Sequence, residues 1–258
     1  MWNNIESILD RMSPISLDEM SGIRLMDRID HKFIAPVSIL PELLNEMSPL
    51  FRVQSINNIK IAPYTTQYFD TSDMNFFLMH QNGKLNRQKI RIRSYVDSNL
   101  SFLEIKNKNN KGRTKKVRIP TENSQINSIT ELNGEQTFLG EHSLFDINSL
   151  TPILKNSFKR ITLVNNRKTE RITIDLDLSF FNTKTNLEKS LKDIMILELK
   201  QDGWKHSDFR DILTQLRIKR ASFSKYCIGI VATDPAIKYN RFKRKLIKIN
   251  KLIQNDSI

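Results

Sequence analysis

Cysteine is nearly absent. The single thiol, Cys227, cannot form an internal disulfide, and a cysteine-based zinc site is excluded. It lies in an apolar run ending at Val231 and is expected to be a small buried side chain. Glycine is scarce, at seven residues, and none sits in a Walker or dinucleotide loop. A nucleotide would therefore have to be held by side chains. No stretch is long and apolar enough to span a bilayer. The N-terminus lacks the basic-then-apolar order of a signal peptide, so a soluble cytoplasmic protein is expected. Acidic residues are also in deficit: 28 Asp and Glu against 41 Lys and Arg, a net charge of +13. That balance predicts an anionic partner: nucleic acid, a phosphate-rich small molecule, an inorganic polyanion or an anionic membrane surface.

The remaining composition is ordinary. The chain has 258 residues, 39% hydrophobic and 27% charged, enough to bury a sizeable core. No internal repeat or low-complexity linker divides it. One domain over 1–258 is expected, with a helical segment at 1–21 and a basic tail at 238–258.

The informative stretch is Asn86 to Ile119. It holds three short alternating segments. Lys89, Arg91 and Arg93 share one face of the first, with Ile90 and Ile92 behind. Phe102, Glu104, Lys106 and Lys108 share a face of the second, and Lys116 and Arg118 a face of the third. Side chains on a strand alternate between faces, so each segment has one apolar and one charged side. A charged face is most simply a wetted one. Yet Arg and Lys recurring in register also suit phosphate oxygens.

Distant segments repeat the pattern. Arg28, Asp30 and Lys32 share a face, with Ile29, His31 and Phe33 opposite, which makes His31 a packed histidine. Arg171, Thr173, Asp175 and Asp177 share another face, as do Ile196, Glu198 and Lys200. Further strands are expected at 59–70 and 158–164. Helices are expected at 38–48 and 207–217, near 124–132 and 150–156, and from Thr71 to a stop at Asn82-Gly83. Ser16-Leu17-Asp18-Glu19 has the form of a capping box. Residues 183–193 read as a polar hairpin or loop. Phe242, Leu246 and Ile249 are spaced like one face of a C-terminal helix, expected to pack on the body, with an arm touching anionic surfaces as the alternative. Apolar backs need cover and charged fronts recur on strand after strand. An α+β fold follows, a closed antiparallel barrel with its charge inward and helices packed outside.

In this order the segments resemble the VTC domain, the polyphosphate-polymerase branch of the triphosphate tunnel metalloenzymes. The matching pieces are Arg28-Ile29-Asp30-His31-Lys32-Phe33, Tyr68-Phe69-Asp70-Thr71-x-Asp73, Lys89-Ile90-Arg91-Ile92-Arg93-x-Tyr95, Phe102-Leu103-Glu104-Ile105-Lys106-x-Lys108 and Lys116-x-Arg118. Phe158-x-Arg160, Arg171-x-Thr173-x-Asp175, Leu197-Glu198-Leu199-Lys200 and Phe223-Ser224-Lys225-Tyr226 follow.

The resemblance implies an eight-stranded tunnel that holds a nucleoside triphosphate and a divalent metal, Mn²⁺ or Mg²⁺. It implies catalytic roles for Arg91, Arg93, Lys106, Lys116 and Lys225. It implies ATP or polyphosphate binding by Lys32, Arg28, Arg118, Arg160, Arg171 and Lys200, and metal binding by Glu198 and Glu104. The implied activity transfers the γ-phosphoryl group of ATP to an inorganic polyphosphate chain. A triphosphate or nucleoside-triphosphate hydrolase and a non-catalytic polyphosphate-binding module are the alternatives. A specific nucleic-acid partner is not expected, because aromatics are not interleaved with the basic strands as stacking platforms would be. Fungal relatives carry a phosphate-sensing domain and a membrane partner that this sequence does not contain, so coupling of synthesis to transport is not implied.

Overall fold

The computed structural model describes residues 2–21, 28–111, 113–122, 133–203 and 206–255. Helix α1 (Trp2–Arg11) leads into strand β1 (Pro14–Ile15) and helix α2 (Leu17–Ser21). The capping box forms: the Glu19 amide donates to Ser16 Oγ at 3.2 Å, and the Ser16 amide to Glu19 Oε2 at 3.1 Å. Strand β2 (Arg28–Pro36), helix α3 (Leu40–Met47), strands β3 (Phe51–Gln54) and β4 (Ile61–Thr71) and helix α4 (Asn75–Gln81) follow. Gly83 ends α4 at a φ of +70°, the left-handed conformation that glycine adopts freely. The three charged segments form β5 (Arg87–Tyr95), β6 (Leu100–Lys108) and β7 (Thr114–Thr121). The second half runs α5 (Asn133–His142), β8 (Leu150–Asn165), β9 (Glu170–Asn182), β10 (Glu188–Leu191), β11 (Ile194–Asp202), α6 (Asp208–Gln215), α7 (Lys225–Thr233) and α8 (Asn240–Asn255).

The α+β class agrees with the sequence, and one path of eight strands is present in the order β2-β11-β9-β8-β4-β5-β6-β7. Every neighbouring pair on it is antiparallel. The closed barrel is not present. A barrel requires its first and last strands to pair, and among the described residues no register joins β2 to β7. The sheet is open, with three short strands added: β10 on β9, β3 on β8 and β1 on β3. Exposed lysines and arginine along β7, including Lys115, Lys116 and Arg118, disfavour edge-to-edge pairing with another sheet.

Helices cover the apolar faces, as the sequence led us to expect. Ile161, Leu163, Ile172, Ile174, Leu197 and Leu199 form the apolar backs of β8, β9 and β11. They pack beneath α1, α3 and α6 in one core. Ile90, Ile92, Leu103 and Ile105 back β5 and β6, in a second core with Phe76, Phe77 and Leu139. Each such side chain contributes about 1.5–3 kcal/mol on burial. Helix α7 packs on the same side of β8 and β9 as their charged residues. A Cβ built on its Gly229 would lie 2.5 Å from the Phe180 ring and 2.6 Å from Leu154, so only glycine permits this approach. His31 and Cys227 are buried, as their patterns required. Helix α8 buries Phe242 and Ile249 in the second core.

One helix expected from the sequence is a strand. Residues 150–156 open the sixteen-residue β8, which pairs with β4 on one side and β9 on the other. Pairing on both sides outweighs the weak local helical pattern there. The helix expected near 124–132 lies outside the described residues. No described helix is long and apolar enough to cross a membrane.

Candidate functional site

The charged side of the sheet is organised around three buried carboxylates. Each is clamped by cations from neighbouring elements.

Glu104 on β6 is the first. Its register neighbour on β5 is Arg91, whose Nε and Nη2 lie 2.8 and 2.7 Å from Glu104 Oε2. Lys116 on β7 contacts Oε1, and Arg93 stands 4.0 Å away. The Glu104 side chain is 1% exposed. Burial alone would raise its pKa, but Arg91, Arg93 and Lys116 hold it down to about 2.

Asp175 on β9 is the second. Arg160, opposite it on β8, donates from Nε to Oδ1 and from Nη2 to Oδ2 at 2.8 Å, a two-pronged pair. Lys225, the first residue of α7, donates to the same Oδ2. Against the effect of burial, these two cations keep Asp175 well below the usual carboxylate range.

Glu198 on β11 is the third. Lys32, opposite it on β2, lies 2.6 Å from Oε2, and Lys200 lies 3.9 Å from Oε1. Burial would again raise its pKa, and Lys200 and Lys32 lower it well below normal.

The three clusters face one another. Lys106 on β6 feels the charges of Glu198 and Lys32, on the other half of the sheet. Arg93 feels Arg160, and Arg160 feels Glu198. The sheet is thus bent into a trough with cations in excess. Burial, with neighbouring positive charge, draws the ammonium groups of Lys200 and Lys225 down to about 8; Lys106, which is exposed, is lowered by the charges of Arg91 and Lys89. Arg171 lies opposite Lys200 in register and acts on its charge. Arg118 is opposite Glu104 in register but turns to the Phe102 ring, its guanidinium 4.4 Å from the centroid. Arg28 is placed by the backbone of β2, opposite Asp202.

Several residues of this trough appear in the sequence motifs but were given no role in the site. Lys89 donates to Ser224 Oγ at 2.9 Å, and Ser224 caps α7 by accepting from the Cys227 amide. Asp70 accepts from the Phe76 and Phe77 amides at the start of α4 and from the Tyr226 hydroxyl of α7. It thereby fixes the helix that carries Lys225. The sequence signals for this were an aspartate directly before the helix start at Thr71 and the Asp70 and Tyr226 motifs of the family resemblance. The aromatics also gather at one end of the trough. Tyr64 stacks on Phe158 with centroids 5.2 Å apart and lies 5.0 Å from Tyr95, and Tyr95 meets Phe102 at 6.0 Å. Arg160 sits 5.1 Å from the Tyr64 ring. A small pocket of about 40 Å³ opens there, lined by Tyr64, Tyr95, Arg160, Ile56 and Pro63 among others.

Among the described residues, no group of three or more His, Cys, Asp or Glu side chains could hold a metal ion. Glu104 and Asp175 are saturated by cations. Glu198 offers Oε1, whose nearest cation is 3.9 Å away. A hard divalent cation fits there if substrate phosphates supply the other oxygens, the usual arrangement for Mg²⁺.

Comparison with known proteins gives one family. The VTC domain matches residues 27–233. No curated protein is matched. Two solved structures carry the name "putative adenylate cyclase" or "adenylyl cyclase". The Bacillus halodurans protein is 15% identical, with 77% of this chain and 96% of that chain covered and a TM-score of 0.49. The Hippeastrum protein, described as having a dominant triphosphatase activity, is 14% identical, with 80% and 96% covered and a TM-score of 0.49. An RNA triphosphatase of Schizosaccharomyces pombe is 11% identical, with 83% and 90% covered and a TM-score of 0.32. Family membership rests on the domain match and not on these three.

Proposed function

The chain belongs to the VTC domain family, and from that premise we propose that it transfers the γ-phosphoryl group of ATP to the end of an inorganic polyphosphate chain. The observation that carries this reading is the trough itself. Arg91, Arg93, Lys106, Lys116, Arg160, Lys225, Lys32 and Lys200 meet across it, and they outnumber the carboxylates Glu104, Asp175 and Glu198 that clamp them. Such a surplus, half desolvated, is stabilised by a ligand rich in phosphate oxygens.

Phosphoryl transfer asks chiefly for positioning and charge stabilisation. Arg160 and Lys225 grip one end of the triphosphate and Arg91 and Arg93 the other, as phosphate oxygens replace the carboxylates that hold these cations in the empty protein. Arg171, Arg118 and Arg28 extend the contacts along the same faces. On this reading the nucleobase lies at the aromatic end, against Tyr64 and Tyr95. A terminal oxygen of the polyphosphate forms a new P–O bond to the γ-phosphorus, the bond to the β-phosphate oxygen breaks, and ADP leaves. Glu198 is the residue that would hold a divalent cation, with Glu104 the weaker candidate because three cations already surround it. Such an ion, Mn²⁺ or Mg²⁺, supplies neutralisation of phosphate charge when bound.

The test is incubation with ATP and Mn²⁺ or Mg²⁺. Long-chain polyphosphate with ADP in equal yield is expected. Orthophosphate without polymer would favour a hydrolase, and tight binding without turnover a binding module.

A further inference from the structure

Helix α8 begins after residue 233, where the match to the VTC domain ends. Its inner face is committed to the fold. Phe242 and Ile249 are buried in the second core, and the Phe242 ring lies 5.8 Å from that of Phe77 on α4. Its outer face is cationic throughout. The helix holds six Lys and Arg residues and no Asp or Glu. Arg241, Lys243, Arg244 and Lys251 are exposed. Among the described residues, no Asp or Glu oxygen lies within 4.0 Å of any of these four.

A helix that simply meets water gains from Glu–Lys pairs one turn apart and from acidic residues at its start. Helix α8 has the reverse. Arg241 and Lys245 are like charges four residues apart, and so are Arg244 and Lys248. Four of the six cations fall within 241–245, at the positive end of the helix dipole, and the last turn has none. This charge opposes the helix, and the packing of Phe242 and Ile249 holds it in place regardless.

One apolar side chain faces outward in the middle of the cations. Ile247 is 48% exposed. Its helical neighbours three and four residues away are Lys243, Arg244, Asn250 and Lys251. A branched alkyl group there offers nothing to free phosphate or to a phosphodiester backbone. It suits a surface that sets anionic headgroups over hydrocarbon. A straight helix of sixteen residues, about 24 Å long, also lays its row of cations along a plane and needs no groove.

We propose that the outer face of α8 docks the protein on an anionic lipid surface. Headgroup phosphates and carboxylates meet Lys243, Arg244, Lys248 and Lys251, and the Ile247 side chain enters the headgroup layer. The helix lies on the bilayer and does not cross it. The docking is independent of the phosphoryl-transfer reading.

The experiment is co-sedimentation of the full chain with vesicles of phosphatidylcholine alone and of equal parts phosphatidylcholine and phosphatidylserine. Binding to the anionic vesicles only is expected, weakening as salt rises. Lys243→Gln/Arg244→Gln/Lys251→Gln should lose about 100-fold, at about fivefold for each cation. Lys155→Gln/Lys189→Gln/Lys219→Gln removes the same charge from exposed positions outside α8 and should lose no more than about twofold. Ile247→Asn leaves the charge unchanged and should lose about fivefold. Thermal unfolding should find the α8 cation variant at least as stable as the parent, because like charges have been removed. No binding to anionic vesicles, equal losses for the two triple variants, or unchanged binding of Ile247→Asn overturns the docking face. A lower melting temperature for the α8 cation variant would make its cations part of the fold and also overturn it. So would tighter binding of a single-stranded oligonucleotide than of anionic vesicles through the same residues.

Discussion

Arg160 and Asp175 form a two-pronged ion pair across β8 and β9, and Lys225 shares the same carboxylate from the start of α7. The pair is almost fully buried, with Arg160 13% and Asp175 4% exposed. Two cations on one carboxylate leave a net positive charge in a place water barely reaches. Glu104 and Glu198 repeat the arrangement on the facing strands. On the function proposed above, a phosphate group would replace each carboxylate against these cations.

Removing one carboxylate should therefore be costly and ligand-reversible. Asp175→Asn leaves Arg160 and Lys225 without their partner and is expected to cost about 3–5 kcal/mol. Sulfate or tripolyphosphate should restore more stability to this variant than to the parent protein. Urea unfolding with and without the anion checks it. A variant as stable as the parent, with no larger anion response, would refute the placeholder role.

Glu198→Gln should abolish metal-dependent turnover while polyphosphate binding is largely kept, since the lost charge is the one positioned for a cation. ADP release and a binding measurement on the same sample separate the two. Full activity with a normal metal requirement would remove Glu198 from the site.

Arg91→Ala with Arg93→Ala should weaken triphosphate binding by about 100-fold or more, as two charge-assisted contacts worth about 1.5–3 kcal/mol each disappear. Glu104 then keeps only Lys116 of its clamp, so the melting temperature should fall as well. Calorimetry and thermal unfolding read the two effects. Retained affinity would mean that the phosphates lie elsewhere.

Proton linkage gives two windows. Lys200 and Lys225 sit at about 8, chiefly through burial, below the unfolded value of about 10.4. The unfolded chain then binds more protons between those values, so their contribution to stability rises as pH goes from about 8 toward 10.4. Polyphosphate binding runs the other way: it favours the ammonium forms, takes up protons near pH 8 and weakens above it. Glu104 lies at about 2, against an unfolded value near 4.3. Its stabilisation is complete above that value and is lost as pH falls toward 2. Titration calorimetry in buffers of different ionisation enthalpy detects the proton uptake. Binding independent of pH from 7 to 10 would contradict the buried lysines.

Gly229→Ala should destabilise the protein by about 1–3 kcal/mol, because the new methyl overlaps Phe180 and Leu154. Polyphosphate affinity should fall too, since α7 carries Lys225 into the trough. Chemical unfolding and binding measure both, and an unaffected variant would place α7 elsewhere.

The alternation of charged and apolar residues is a local, period-two property, and it was legible. It marked β2, β5, β6, β7, β9 and β11, assigned Ile90 and Ile92 to a core, and put Glu104 among Arg91, Lys106 and Lys116. The cap at Ser16 and the stop at Gly83 were legible because they too are local. Residues 150–156 misled, because their strand exists through partners, β4 and β9, remote in sequence. Whether the sheet closed was undecidable from any one segment. Closure depends on how far the sheet curls and on what covers its edges. The tertiary structure left β2 and β7 unjoined and set α7 against the charged side through Gly229 and the Asp70–Tyr226 contact. It brought Tyr64, Tyr95, Phe102 and Phe158 to one end, from three separated stretches of chain. The sequence determined which faces carry charge, because side-chain direction on a strand follows from the residue before it. Only packing across the sheet decided which of those charges meet, because that distance is set by residues far apart along the chain.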